Sequence, residues 1–267
     1  MFAGKDFRMK MSSARGQTEL LSGMQMYYEL HGQGEPLLLL HGFTGSGRDW
    51  ELIFKEPPAG YRLVVPDLRG HGRSTNPSMA FTHRQSALDV FALLDRLSID
   101  RFKAIGMSAG AKTLLHMATQ QSRRVEAMVL VSATTYFPQQ ARAIMSQMTP
   151  EDRTDEEWQL MRQRHMQGDE QIRALWAQGH AFKDSYDDMN FTPPYLSTIT
   201  AHTLIVHGDR DPFYPANIAL EMYAAIPRAF LWIIPNGGHI PIFGDATGQF
   251  VETALAFLRG AWGSQSG

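Results

Sequence analysis

Gly106-Met107-Ser108-Ala109-Gly110 constrains this chain more than any other stretch, because of what stands on either side of it. Residues 101–105 read as a short apolar strand. Residues 111–120 read as a helix, with Leu114, Leu115 and Ala118 at helical spacing. A serine at a strand-to-helix turn, with a glycine two positions away on each side, is the nucleophile-elbow pattern. Such a turn forces the serine into unfavourable dihedrals. The glycines remove the Cβ atoms that would clash where strand and helix cross.

A serine hydroxyl is a weak nucleophile at neutral pH and needs a base within hydrogen-bond reach, usually a histidine oriented by a carboxylate. With an elbow of this kind the chain order is serine, acid, histidine. Here residues 203–206 form an apolar strand followed by His207-Gly208-Asp209-Arg210-Asp211-Pro212, and residues 230–234 another followed by Pro235-Asn236-Gly237-Gly238-His239. Acid and base thus fall on loops after the carboxyl ends of strands, where open α/β sheets place their ligands.

Ten histidines compete for the base position. His31 and His202 lie near strand edges. His83, His116, His165 and His180 fall in helical or cap-like stretches. His41, His71 and His207 each precede a glycine, where hydrogen bonding to local backbone is the plainer role. Only His239 follows the last strand downstream of the acidic loop, which makes it the base. Of two aspartates, Asp209 reads as a turn residue capping backbone amides. Asp211 sits further into the loop, where it can reach the histidine.

A tetrahedral intermediate also needs amides aimed at its oxyanion. Ala109, directly after Ser108, supplies one. Phe43 supplies the other, from the turn His41-Gly42-Phe43-Thr44-Gly45-Ser46-Gly47 after the strand at residues 36–40. That glycine-rich loop lacks the Gly-Lys-Ser/Thr ending of a P-loop and the G-x-G-x-x-G spacing, which argues against nucleotide binding.

With these pieces in place the chain resembles the α/β-hydrolase superfamily, in the subgroup with a His-Gly-Phe oxyanion loop. The likeness runs through His41-Gly42-Phe43, Asp67-Leu68-Arg69-Gly70-His71-Gly72-Arg73-Ser74, the elbow at Ser108, the loop from His207 to Asp211, and Gly238-His239. It implies a mostly parallel central sheet with helices on both faces, and it matches Asp211, not Asp209, to the catalytic acid. It also implies a serine hydrolase that cleaves carboxylic esters or lactones without a metal or organic cofactor. Two departures, Met107 before the serine and Ala109 with a single glycine after it, touch the pocket and not the three reacting residues. A serine nucleophile argues against the haloalkane dehalogenase and epoxide hydrolase branches, which use aspartate.

The rest of the chain organises around this frame. At 267 residues and 43% hydrophobic content, one sizeable core is available. A net charge of −2 favours neither nucleic acid nor an anionic membrane. The absence of cysteine excludes a thiol nucleophile and thiolate metal sites. No run is long enough for a membrane span, and residues 1–23 lack the apolar stretch of a signal peptide, so a cytoplasmic protein is expected. Residues 263–267 read as a flexible tail. Residues 24–30 and 36–40 read as paired strands, Tyr61–Pro66 and Val125–Val131 as further strands. Residues 82–98, 216–226 and 248–258 read as helices, the first capped by Thr82 with Gln85 completing a capping box. Such alternation argues for a parallel sheet covered on both faces.

Residues 133–194 break that rhythm, with no convincing strand and with charge clusters beside Met145, Met148, Trp158, Met161 and Trp176. The expected organisation is a core from residues 1–132 and 195–267, with 133–194 as a helical cap. Most apolar residues of the cap should pack it onto the core. Met107, Trp158 and Trp176 are candidates for the pocket wall, and methionines suit irregular apolar acyl groups.

Two rival functions remain. One is a C–C bond hydrolase or a lyase like that of the menaquinone pathway, using the same residues on a carboxylate-bearing substrate. Lys112, Arg142, Arg162, Arg164 or Arg173 would then supply the cation, against the plainer reading of the arginines as a solvated helix face. The other is a ligand receptor on the same fold. The partner is in each case a small molecule, and no oligomeric state follows from the sequence.

Overall fold

A computed structural model describes residues 16–262. The expectations for the N-terminus up to residue 15 and for the tail at 263–267 fall outside the described residues. Eight strands form one sheet: β1 (Gln17–Leu21), β2 (Met24–Gly32), β3 (Glu35–Leu40), β4 (Tyr61–Pro66), β5 (Phe102–Met107), β6 (Val125–Val131), β7 (His202–Gly208) and β8 (Ala229–Ile234). Their spatial order is β1-β2-β4-β3-β5-β6-β7-β8. β2 runs antiparallel to both neighbours, and β3 to β8 are parallel.

Leu37 to Leu40 show why the sheet needs cover on both faces. All four are fully buried, and they alternate between two cores. Leu38 and Leu40 join Val90, Leu94, Leu114 and Leu115 from the helices α1 (His83–Arg96) and α2 (Ala109–Gln120), with Met222 from α7 (Ala216–Ala225). Leu37 and Leu39 join Trp50 and the residues Phe250 and Phe257 of α8 (Thr247–Leu258) on the opposite face. A run of leucines in a parallel strand thus satisfies two layers of helices.

Between β6 and β7 lie α3 (Gln139–Met145), α4 (Asp155–Arg164), α5 (Asp169–Ala181) and the short α6 (Pro193–Leu196), with one isolated bridge joining Tyr136 and Asn190. α4 begins on a full capping box, Thr154 accepting from the Glu157 amide and Glu157 from the Thr154 amide. Among the described residues no helix is long and apolar enough to cross a membrane.

Two local expectations need correction, and one strand was not anticipated. β2 does not pair with β3; it pairs with β1 and β4, because β3 is committed on both edges to β4 and β5. β1 lies in the stretch read only as lacking a signal peptide's apolar run, where the residues of Gln17–Leu21 are exposed or half-buried and carry no clear apolar alternation. Thr82 does cap α1 by accepting from the Gln85 amide at 3.0 Å, but the Gln85 side chain turns to Asp89 instead of closing the box.

Candidate active site

The elbow is built as its glycines require. Ser108 sits at φ 48°, ψ −104°, between β5 and α2. A Cβ on Gly106 would lie 2.6 Å from the Gly110 carbonyl carbon, and one on Gly110 would lie 2.2 Å from the Leu40 oxygen. Either clash would push α2 away from the sheet and move the serine.

Ser108 Oγ lies 2.9 Å from His239 Nε2, and His239 Nδ1 lies 2.7 Å from Asp211 Oδ2. The other Asp211 oxygen accepts from the amides of Phe213 at 2.8 Å and Tyr214 at 3.2 Å. Burial opposes ionisation of this carboxyl, yet His239 and the two amides outweigh it and hold the group below its ordinary range. Asp211 is therefore an acceptor at both oxygens, which leaves the Nδ1 proton on His239 and its Nε2 lone pair facing Ser108. The Phe213 and Tyr214 rings flank the imidazole, with centroids 4.8 and 5.4 Å away.

The acid and histidine loops touch. Arg210 N donates to Gly237 O at 2.8 Å, and a Cβ on Gly208 would lie 2.3 Å from that same oxygen. Asp209 accepts from Gly237 N at 3.2 Å, the backbone-capping role its turn position suggested. Beyond the histidine, Ile240 N donates to Ser132 Oγ at 3.1 Å, tying this loop to the end of β6.

The turn after β3 reaches the serine. A Cβ on Gly42 would lie 3.7 Å from the Ser108 Cβ. Gly42 O, which shares a peptide plane with the Phe43 N–H, accepts from His41 Nδ1 at 2.7 Å and from Gly45 N at 3.1 Å. His41 Nε2 accepts in turn from Leu68 N, which fixes its tautomer. Ala109 opens α2, where first-turn amides have no acceptor within the helix. Ala109 thus adjoins Ser108 in the chain, and Phe43 lines the same cavity as Ser108.

His165, just past α4, is a contact that sequence reasoning missed. Its Nδ1 accepts from Gly72 N at 2.9 Å and its Nε2 donates to Thr44 O at 3.1 Å, so it clamps the inserted helices to the turn beside Phe43. A histidine after an amphipathic helix carries no sequence signal of such distant partners. Burial lowers its pKa from 6.5 to about 4, and His83 at the start of α1 is likewise lowered to about 4 by burial. The unfolded chain takes up protons below pH 6.5 that the folded chain refuses, so stability is lost as pH falls towards 4. Each such histidine costs on the order of 3 kcal/mol by that point. Thermal unfolding between pH 7 and 4 should show a steadily falling melting temperature. A flat profile would contradict this burial.

A cavity of about 220 Å³ opens at Ser108 and His239, walled by Met145, Met148, Phe182, Phe213 and Lys112. A second, of about 520 Å³, lies beyond Phe43 and Ile240, which border both, and reaches Met107, Phe243 and the partly exposed Arg164. The expected pocket wall is therefore corrected for the two tryptophans. Met107 points to the α8 side of the sheet with Ile105, as strand alternation dictates, and lines the second cavity. Trp158 and Trp176 pack edge-to-face at 4.5 Å with Met161, Ile172 and Leu175, joining α4 to α5. Trp176→Ala should lower stability by about 3–5 kcal/mol, and Trp158→Ala by less. Neither should change acyl preference; an altered chain-length profile would place a ring in the pocket after all.

The arginines proposed as anion ligands are otherwise engaged. Arg142 donates to the carbonyls of Phe137, Lys183 and Ser185. Arg162 pairs with Asp169, and Arg173 lies over the Trp158 ring. Of the five cations considered, Lys112 alone lines the Ser108 cavity.

Comparison with known proteins agrees with this architecture. Residues 37–253 match the Alpha/beta hydrolase family, and the chain belongs to that family of hydrolases. A 2-hydroxy-6-oxononadienedioate/2-hydroxy-6-oxononatrienedioate hydrolase of Pseudomonas putida is 29% identical, covering 88% of this chain and 92% of its own. A pimeloyl-[acyl-carrier protein] methyl ester esterase of Nitrosomonas europaea is 24% identical over 85% of this chain and 97% of its own. A solved meta-cleavage product hydrolase from Pseudomonas fluorescens superposes with a TM-score of 0.76 at 23% identity, covering 92% of this chain and 98% of that one, and shares its fold.

Proposed function

We propose that this protein is a serine hydrolase cleaving carboxylic esters or lactones of small to medium substrates through an acyl-enzyme. The observation that carries the reading is the unbroken path from Ser108 Oγ through His239 to Asp211, at 2.9 and 2.7 Å. Ser108 attacks the carbonyl carbon while His239 Nε2 takes its proton. The amides of Phe43 and Ala109 hold the oxyanion. Collapse expels the alkoxide, which leaves with the proton from His239. Water then attacks the acyl carbon, giving its proton to His239, and the acid departs as the serine is restored. Asp211 keeps the proton on Nδ1 and stabilises the imidazolium.

Residues 133–194 serve as the cap in this reading, with Met145, Met148 and Phe182 roofing the acyl site. A cavity of roughly 150 Å³ holds a benzene ring, so one of about 220 Å³ suits an acyl group somewhat larger. The larger cavity beyond Phe43 takes the leaving group. A second reading changes the bond and keeps the residues: hydrolysis of a C–C bond beside a carbonyl, supported by the dienedioate hydrolase among the relatives.

The experiment is a series of p-nitrophenyl esters of rising chain length, run beside lactones and a vinylogous 1,5-diketone. Ester turnover should span several neighbouring lengths, since an apolar pocket discriminates by only about 1–3 kcal/mol per methylene, and should fall once the cavity is full. Cleavage of the diketone alone would overturn the ester reading in favour of the C–C one.

A further inference from the structure

Lys112 is a charged residue that the mechanism above does not use. It lies one helical turn past Ser108, its amide donating to Ser108 O at 3.0 Å, and it is 2% exposed. Its Nζ donates to Tyr214 Oη at 2.9 Å and stands over the rings of Phe137 and Tyr214, at 4.9 and 5.3 Å. Asp188 and Asp211 act on it through space, without an ion pair to it among the described residues. A buried ammonium whose contacts among the described residues are the Tyr214 hydroxyl and the Phe137 ring is under-compensated, and such a group gains most from an anion brought beside it. Burial accordingly lowers its pKa to about 7.

This ammonium is in the wall of the Ser108 cavity, whose other described lining residues include no arginine or further lysine. Around it the wall is Met145, Met148, Phe182 and Phe213. We infer that Lys112 binds a carboxylate at the far end of the substrate's acyl group, so that the preferred substrates are half-esters of short dicarboxylic acids or lactones that carry a carboxylate. One cation suits a monoanion, and the apolar residues that share the cavity with Lys112 and Ser108 suit the methylenes that separate the two ends. The inference rests on Ser108 being the reacting group of this cavity.

Its test compares esters matched in length. Monomethyl glutarate and monomethyl adipate are run against methyl pentanoate and methyl hexanoate, with wild type, Lys112→Met and Lys112→Arg. The ratio of kcat/KM for half-ester over neutral ester cancels any general damage to the site. Wild type should favour the half-esters, and Lys112→Met should cut the ratio by about thirtyfold or more, the effect of removing one partner of a buried charge pair. The change should fall mainly in KM, and Lys112→Arg should keep part of the preference. A ratio unchanged in Lys112→Met would overturn the inference and leave Lys112 as an anchor for Tyr214. If no ester is turned over, the ester reading fails separately. Calorimetric binding of monomethyl adipate to Ser108→Ala and to Ser108→Ala/Lys112→Met still decides the matter. Equal affinity for the two proteins overturns the carboxylate site, and at least about thirtyfold weaker binding to the double variant supports it.

Discussion

Replacing Ser108 by alanine is expected to lower kcat for ester hydrolysis by roughly 10⁵–10⁶, the scale on which a hydrolase loses its nucleophile. The fold should be untouched. Ser108 keeps its backbone place at the end of β5 through its amide, which donates to Val131 O at 2.8 Å, and among the described residues the hydroxyl's one hydrogen-bond partner is His239. Alanine adds no atom to a junction already as tight as Gly106 and Gly110 make it. An unchanged melting temperature with activity within about tenfold of wild type would remove Ser108 from the reaction, since no other step replaces a lost nucleophile so cheaply.

Asp211→Asn is the second large effect, on the order of 10⁴-fold in kcat. In the native site both Asp211 oxygens accept, one from His239 and one from the amides of Phe213 and Tyr214. An asparagine that keeps its oxygen on the two amides turns its NH₂ toward His239 Nδ1. Nδ1 must then accept, the ring proton moves to Nε2, and the lone pair that should take the Ser108 proton is gone. Asp209→Asn should cost far less, because Asp209 accepts from Gly237 N and pairs with the exposed Arg210, and neither takes part in the proposed reaction. Steady-state kinetics of the two variants side by side ranks the aspartates, and the opposite order would show that the loop presents the wrong carboxylate.

Ser108, Asp211 and His239, the residues proposed to react, could be picked out because each is tied to a backbone constraint visible in the sequence. Gly106 and Gly110 mark the only kind of junction where β5 and α2 can cross so closely. Gly208 marks the approach of the acid loop to Gly237, and His239 closes the last strand-loop unit. Strand pairing at the sheet's first edge was not legible. Periodicity reports which face of a strand is buried, and nothing local in Met24–Gly32 tells that its neighbour is β4, some thirty residues on, and not β3.

The two tryptophans were misplaced for a related reason. Helical spacing marks Trp158 and Trp176 as apolar-face residues but does not say whether that face meets a ligand or another helix, and here α4 and α5 use it on each other. Met145, Met148 and Phe182 reach the serine through the way α3 and the end of α5 lie over the carboxyl ends of the strands. Lys112 was marked by position alone, one turn beyond the elbow. Its burial against Tyr214 and Phe137 depends on packing that no short stretch encodes.

The proposed reaction requires that Ser108 carry the acyl group, and stoichiometric labelling reads out that residue. The protein is titrated with a fluorophosphonate that bonds irreversibly to an activated serine, while adduct mass and residual ester turnover are followed together. One adduct per chain is expected, mapped to the peptide containing Ser108, with activity falling in proportion to labelling and no adduct on Ser108→Ala. Full ester turnover in protein whose Ser108 is completely labelled, or a stoichiometric adduct on another residue, would contradict it.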